Sequence, residues 1–225
     1  MKKILFHTGG PTFHPVGQQA ICIAEWLGQG YRCEQREGLS AFEALDDSVD
    51  LLVIMGLHWS GMSEDWAGGL TYEPMRSRDI DALRKYVTSG RPIISHHGGI
   101  ASYDEEPFFA QACAWAWVWG VTTHSPFGNW PMNVGTTAHA VVRDVQDYKL
   151  DDEIYYNVKV LEPGRTIEHA STYFDGAERP MVSTIDESSD HGRRVYLANG
   201  HDMKAFECDS LRQLWINSVK WSLDI

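Results

Sequence analysis

The sequence predicts a single α/β domain over residues 1–225, built on a doubly wound, mostly parallel sheet with antiparallel hairpin additions in its second half. Two patterns carry this expectation. In the first half, short and wholly apolar runs alternate with amphipathic stretches of helical spacing, as parallel strands buried on both faces and joined by right-handed crossovers require. In the second half, short strand-like stretches follow one another with turns between them. The chain has 225 residues, 43% of them hydrophobic and nine of them Trp, enough for one sizeable core. No Pro/Ser/Gly-rich linker divides it.

Taken in order, Lys3 to Phe6 is an apolar strand that ends in a Gly-rich turn, and Val16 to Leu27 repeats apolar residues at helical spacing. Tyr31 to Arg36 alternates like an edge strand, Asp50 to Met55 reads as a fully buried strand, and Arg78 to Val87 is an amphipathic helix. Pro92 to Ser95 is the next buried strand. Four strands are then expected at Ala138 to Arg143, Tyr155 to Leu161, Thr166 to Tyr173 and Met181 to Ile185. Arg194 to Ala198 returns to a buried strand, and a helix over Leu211 to Leu223 closes the chain.

Composition excludes several function classes. Nineteen Lys and Arg stand against 31 Asp and Glu, a formal charge of −12, and no basic stretch is long enough to follow a phosphate backbone. Nucleic acid and anionic membrane are therefore poor partners. No apolar run reaches the roughly 18 residues needed to span a bilayer, and His7, Thr8 and two glycines cut the N-terminal apolar run short of an export signal. The expectation is a soluble protein. Cys22, Cys33, Cys113 and Cys208 are scattered, without the paired spacing of a disulfide framework or thiolate zinc site, which suits a reducing cytoplasm.

In a doubly wound sheet, ligands bind beyond the carboxyl ends of the strands. Six of the ten histidines map to that edge: His7, His14, His58, His96, His97 and His201. His7 is expected to be an ordinary surface residue. Ile94-Ser95-His96-His97-Gly98-Gly99 has the form of a strand-to-helix elbow with His96 as its exposed residue, and an imidazole there suits a metal or a proton better than acyl transfer. Trp59, Trp66 and Trp130 fall in loops rich in Gly, Ser and Asn, where an aromatic platform suits a sugar ring. Trp115, Trp117 and Trp119 are expected in the core or at a subunit contact, leaving a homo-oligomer open. The first loop lacks the G-x-G-x-x-G fingerprint, which argues against a nucleotide or flavin.

Thr8-Gly9-Gly10 with His14, the elbow His96, His124 before Pro126, His139 ahead of an apolar pair, Asp152-Glu153-Ile154-Tyr155 and Gly200-His201-Asp202 together resemble the trehalose-utilisation (ThuA-like) family. The resemblance implies a flavodoxin-like fold of the class I glutamine amidotransferase-like superfamily. It also implies that His96 stands where an amidotransferase has its nucleophilic Cys and His201 where it has its triad His, so that glutaminase chemistry is lost. Asp202 directly follows His201, whereas the amidotransferase pattern has a Glu two residues on; position 203 is Met. The expected site has His96 and His201, with His58 or Glu153 as the third ligand, holding a divalent metal (zinc, manganese, iron or nickel). Glu153, His97 and Asp202 would be catalytic, and His14, Trp59, His124 and Tyr155 would bind substrate. The implied activity is a metal-assisted lyase, hydrolase or isomerase acting on a sugar or 3-keto-sugar. A non-catalytic sugar-binding or scaffold protein on the same fold is the alternative.

Overall fold

The structure, a computed structural model, describes residues 1–62, 70–136 and 138–225. Strand β1 (Lys2–Thr8) leads into helix α1 (Val16–Leu27), edge strand β2 (Tyr31–Glu37), the single turn α2 (Ser40–Glu43) and β3 (Leu51–Ile54). Helix α3 (Ser77–Thr88), β4 (Ile93–His96) and α4 (Pro107–Cys113) follow. Together with β13 (Arg194–Leu197), four of these strands form an all-parallel block in the order β2-β1-β3-β4-β13. Beyond β13 the same sheet continues antiparallel through β12 (Ala177–Ile185), β11 (Ile167–Phe174), β7 (Gly128–Val134) and β8 (Tyr148–Asp152).

The parallel strands read as continuous apolar runs because successive side chains enter different cores. Ile4 and Phe6, with Leu51, Val53 and Ile94, pack on one face against α1 and the closing helix α5 (Asp209–Ser222). Leu5, Leu52, Ile54 and Ile93 pack on the other against α2, α3 and α4. Helix starts follow local chemistry. The Asp79 carboxylate accepts the Arg76 backbone N–H at 2.9 Å at the head of α3, and Glu106 accepts from Phe108 N at 2.9 Å ahead of Pro107 in α4.

Two second-half expectations need correction, and two further strands appear. Ala138 to Arg143 is not a strand. Ala140–Val142 makes a 3₁₀ turn in which both valines are buried in one core, a same-side placement that strand alternation forbids. Tyr155 to Leu161 splits at Asn157, whose φ is 57°, into the two-residue strands β9 (Tyr155–Tyr156) and β10 (Lys159–Val160). These pair with β6 (Thr123–His124) and β5 (Trp115–Ala116) in two small sheets. Strands β7 and β8 escape the sequence pattern because Pro131 and two asparagines interrupt β7 and Asp-rich β8 has few apolar residues. Among the described residues, no helix is long and apolar enough to cross a membrane.

Candidate functional site

The loops after β1, β4 and β13 converge at the carboxyl edge of the parallel block and meet the turn after β8. Between them lies a cleft of about 350 Å³. His14, His124, Glu153, Tyr155 and His201 supply its polar lining, and Phe13, Trp59, Trp117 and Trp119 supply its aromatic walls. Trp59 and Trp119 pack ring to ring with centroids 4.3 Å apart.

Each polar group is placed by an identifiable device. A turn closed by His14 N donating to Pro11 O at 3.0 Å carries His14 inward. Its ring lies so close over Gly98 that a Cβ there would stand 2.9 Å from its Cε1. Asp152, completely buried at the end of β8, accepts from Gly200 N (2.7 Å), His201 N (3.0 Å), Asn199 Nδ2 (3.1 Å) and the N–H of Glu153 (2.9 Å). One carboxylate thereby arrests the loop that presents His201 and the turn that presents Glu153. Glu153 Oε1 stands 3.2 Å from His124 Nδ1 and 3.8 Å from His201 Nε2.

Burial dominates the electrostatics. It lowers the pKa of His14 well below its ordinary value, with His201 adding to the effect, and lowers that of His201 against the opposing pull of Asp152 and Asp202, so both rings are neutral at pH 7. Burial pushes the Glu153 carboxyl up, against the pull of His124. It raises Asp152 to about 6 in spite of the four hydrogen bonds, which favour the ionised form. Among the described residues, Nδ1 of His14, Nε2 of His97 and Nδ1 of His201 are buried without a hydrogen-bond partner.

The structure rearranges the expected site. His96 is the last residue of β4, is wholly buried, and packs against Trp215 (5.2 Å between centroids) and Phe206 (6.0 Å) instead of standing exposed at an elbow. The residue with the left-handed elbow conformation is His97, φ 41°, one position later. His97 itself is buried rather than open to a substrate: its Nδ1 donates to Ala198 O at 2.7 Å, which leaves Nε2 as the bare lone pair, and its ring packs against Tyr155 and edge-on to His14. His58 lies outside the cleft, its Nε2 donating to Thr8 O at 3.1 Å and its ring meeting His7 and Tyr103. The expected metal triad of His58, His96 and His201 is therefore dispersed, with only His201 at the cleft. Among the described residues, the group with metal-competent spacing is His14, Glu153 and His201.

Other placements differ as well. His7, expected at the surface, is fully buried. Asp202 does not line the cleft; its carboxylate accepts Lys204 N at 2.8 Å. Trp130 packs edge-on to Phe174 and donates to Asp152 O, away from the cleft. Trp66 lies outside the described residues. His14, Trp59, His124 and Tyr155, expected to bind substrate, all line the cleft. The clamp role of Asp152 and the wall positions of Phe13, Trp117 and Trp119 emerge only in the structure. The Asp152-Glu153 pair at a strand end was the available signal for the first, whereas nothing in the spacing of the tryptophans distinguishes wall from core. All four cysteines are free, and burial pushes the Cys113 thiol up to about 11.

The chain matches the model of the ThuA family, described as trehalose utilisation, over residues 34–222. A comparison with curated proteins finds no match. Among solved structures, a putative ThuA-like protein from Bacteroides uniformis superposes with a TM-score of 0.73 at 16% identity, covering 99% of this chain and 91% of that one. A second, from Parabacteroides merdae, gives 0.73 at 18% identity, covering 99% and 90%. A cytoplasmic protein from Salmonella typhimurium gives 0.61 at 12% identity, covering 98% of each chain. At these identities the likeness establishes a shared fold.

Proposed function

Since the chain belongs to the ThuA (trehalose-utilisation) family, we propose that it is an enzyme of carbohydrate breakdown that takes a sugar or 3-keto-sugar into the aromatic cleft and moves a proton there through Glu153. The observation that carries this reading is the half-buried Glu153 carboxylate, held between His124 and His201 in the cleft that the Trp59–Trp119 pair also lines. A carboxyl group whose pKa is raised by burial holds or returns a proton nearer to neutral pH than a free one, which is what an acid–base group in a lyase, hydrolase or isomerase needs. The tryptophan faces suit the apolar faces of a sugar ring, while the imidazoles below suit its hydroxyls.

The elbow position carries His97, not Ser or Cys, so covalent acyl chemistry has no nucleophile there. His97 is buried beneath Tyr155 and acts by supporting His14 and Tyr155 rather than by touching substrate. Metal assistance through His58 and His96 is not supported, because both lie outside the cleft. Four unpaired cysteines support a reducing, cytoplasmic setting.

Titrating glucose disaccharides and their 3-keto derivatives against tryptophan fluorescence, and assaying turnover of the same compounds, tests this reading. Trp119→Ala is expected to weaken sugar binding about tenfold. Glu153→Gln is expected to leave binding within a few-fold while lowering turnover by about 10² or more. Sugar binding with no turnover in the parent chain would instead favour the non-catalytic binding protein.

A further inference from the structure

We propose that His14, Glu153 and His201 bind one divalent transition-metal ion at the floor of the cleft, with its remaining coordination positions open to that cleft. This deepens the reading above, on which it rests for the cleft: Glu153 gives the ion one carboxylate oxygen and keeps the other for the proton, and metal binding is measurable without any sugar.

Each of the three residues offers one ligand atom, and these atoms lie within 4.8 Å of one another. Ligands sharing an ion through bonds of about 2.1 Å stand roughly 3 to 3.5 Å apart, so a contraction of about an ångström closes the set. His201 Nε2 and Glu153 Oε1 are already 3.8 Å apart. A second observation points the same way. His14 is only 6% exposed, yet its Nδ1 has no hydrogen-bond partner among the described residues. Buried polar nitrogens are rarely left so unless something else is meant to engage them.

The donor set selects the kind of ion. Two neutral imidazoles and one carboxylate, with no thiolate, suit zinc, iron(II), manganese or nickel. They suit calcium and magnesium poorly, since those ions prefer all-oxygen shells, and copper(I) poorly, since it prefers sulfur. Three protein ligands facing an open cleft is the arrangement of catalytic rather than structural metal centres. The supporting contacts also resemble those around metal ligands. Asp152 fixes the backbone of His201, His124 Nδ1 touches the Glu153 carboxylate at 3.2 Å, and Gly98 leaves room for the His14 ring.

The test uses the untagged chain, stripped with chelator and titrated with Co²⁺, read by visible d–d absorption, and with Zn²⁺ in competition. One ion per chain is expected. His14→Ala, His201→Ala and Glu153→Gln should each weaken Co²⁺ binding by about 100-fold or more, and His58→Ala should leave it unchanged, with cooperative thermal unfolding verified for every variant. Glu153→Gln is nearly isosteric and keeps the test decisive should a histidine variant fold poorly. Wild-type affinity in Glu153→Gln and in either folded histidine variant would overturn the proposal, as would loss of binding in His58→Ala or a parent chain that takes up no ion. A chain that binds the ion through these residues but turns over no sugar would sustain this site and remove the enzymatic reading alone.

Discussion

Asp152 shows how one side chain can decide a site without facing it. Its carboxylate takes four N–H donors, three from Asn199, Gly200 and His201 and one from Glu153, so two polar groups of the cleft are located by a single buried acceptor. In Asp152→Asn, an NH₂ replaces one acceptor oxygen and faces N–H groups that it cannot satisfy. Unpaired buried donors of this kind cost about 1–3 kcal/mol. The expected outcome is a lowered thermal midpoint together with a 10- to 100-fold loss of Co²⁺ affinity, since removing a contact that orients a ligand typically has that effect. Unchanged affinity in the folded variant would show that the loop holds its shape without the clamp. In sequence such a residue leaves only the signal of an acidic pair at a strand end, and Asp151-Asp152-Glu153 reads equally well as an acidic turn.

Among elements, the turn after β4 controls the floor of the cleft. The apolar run up to Ser95 marks the strand plainly, but whether the bend falls at His96 or His97 is a matter of one residue, and a single-residue shift exchanges the faces to which neighbouring side chains point. The strand continues through His96, which therefore enters the core beside Trp215, and the left-handed conformation falls on His97. Gly98 follows, and its missing side chain is what admits His14. Gly98→Ala would place a Cβ 2.9 Å from His14 Cε1 and 3.1 Å from its Nδ1. Because the His14 ring is already enclosed edge-on by His97 and His201, it has to tilt. The expected result is a Co²⁺ affinity lowered at least tenfold with a smaller change in thermal midpoint, measured on the same preparation. Equal affinity would mean that His14 yields without leaving the ligand position.

Across the whole molecule, the histidines make the fold acid-sensitive. Burial lowers the pKa of His96 to about 3 and that of His169 to about 4, and it lowers His7, His14 and His97 well below the ordinary value. In the unfolded chain these groups titrate near 6.5. Below that pH the unfolded state takes up protons that the folded state cannot, so stability present above about pH 6.5 is lost as pH falls, toward about 4 for His169 and about 3 for His96. Each fully buried group contributes up to about 1.4 kcal/mol per pH unit in its window. Asp152 acts in the opposite sense, since its raised pKa of about 6 lets the folded state bind a proton first as pH falls from about 6 toward 4. Several histidines outweigh one aspartate. The urea midpoint is therefore expected to fall steadily between pH 7 and pH 5; a flat profile would contradict the burial of these rings as neutral groups.

The sequence by itself determined the parallel strands, the helices between them and the edge to which the histidines belong. Those features rest on local periodicity: Asp50 to Met55 is apolar throughout because both sheet faces are covered, and Val16 to Leu27 and Leu211 to Leu223 repeat at helical spacing because one side of each is buried. It also named Glu153, His124, Tyr155 and His201, which line one cleft. What only the tertiary structure decided is which side chains meet. Strands β7 and β8 carry Asp152 to the far end of the antiparallel extension, where it joins a loop 47 to 49 residues later in the chain. His14 meets Glu153 and His201, while His58 and His96, equally well placed at strand ends, turn toward His7 and Trp215. Periodicity records how a residue sits on its own element. The direction of a side chain leaving a strand end depends on the backbone torsion of one or two loop residues and on the packing waiting there, and neither leaves a periodic trace in the sequence.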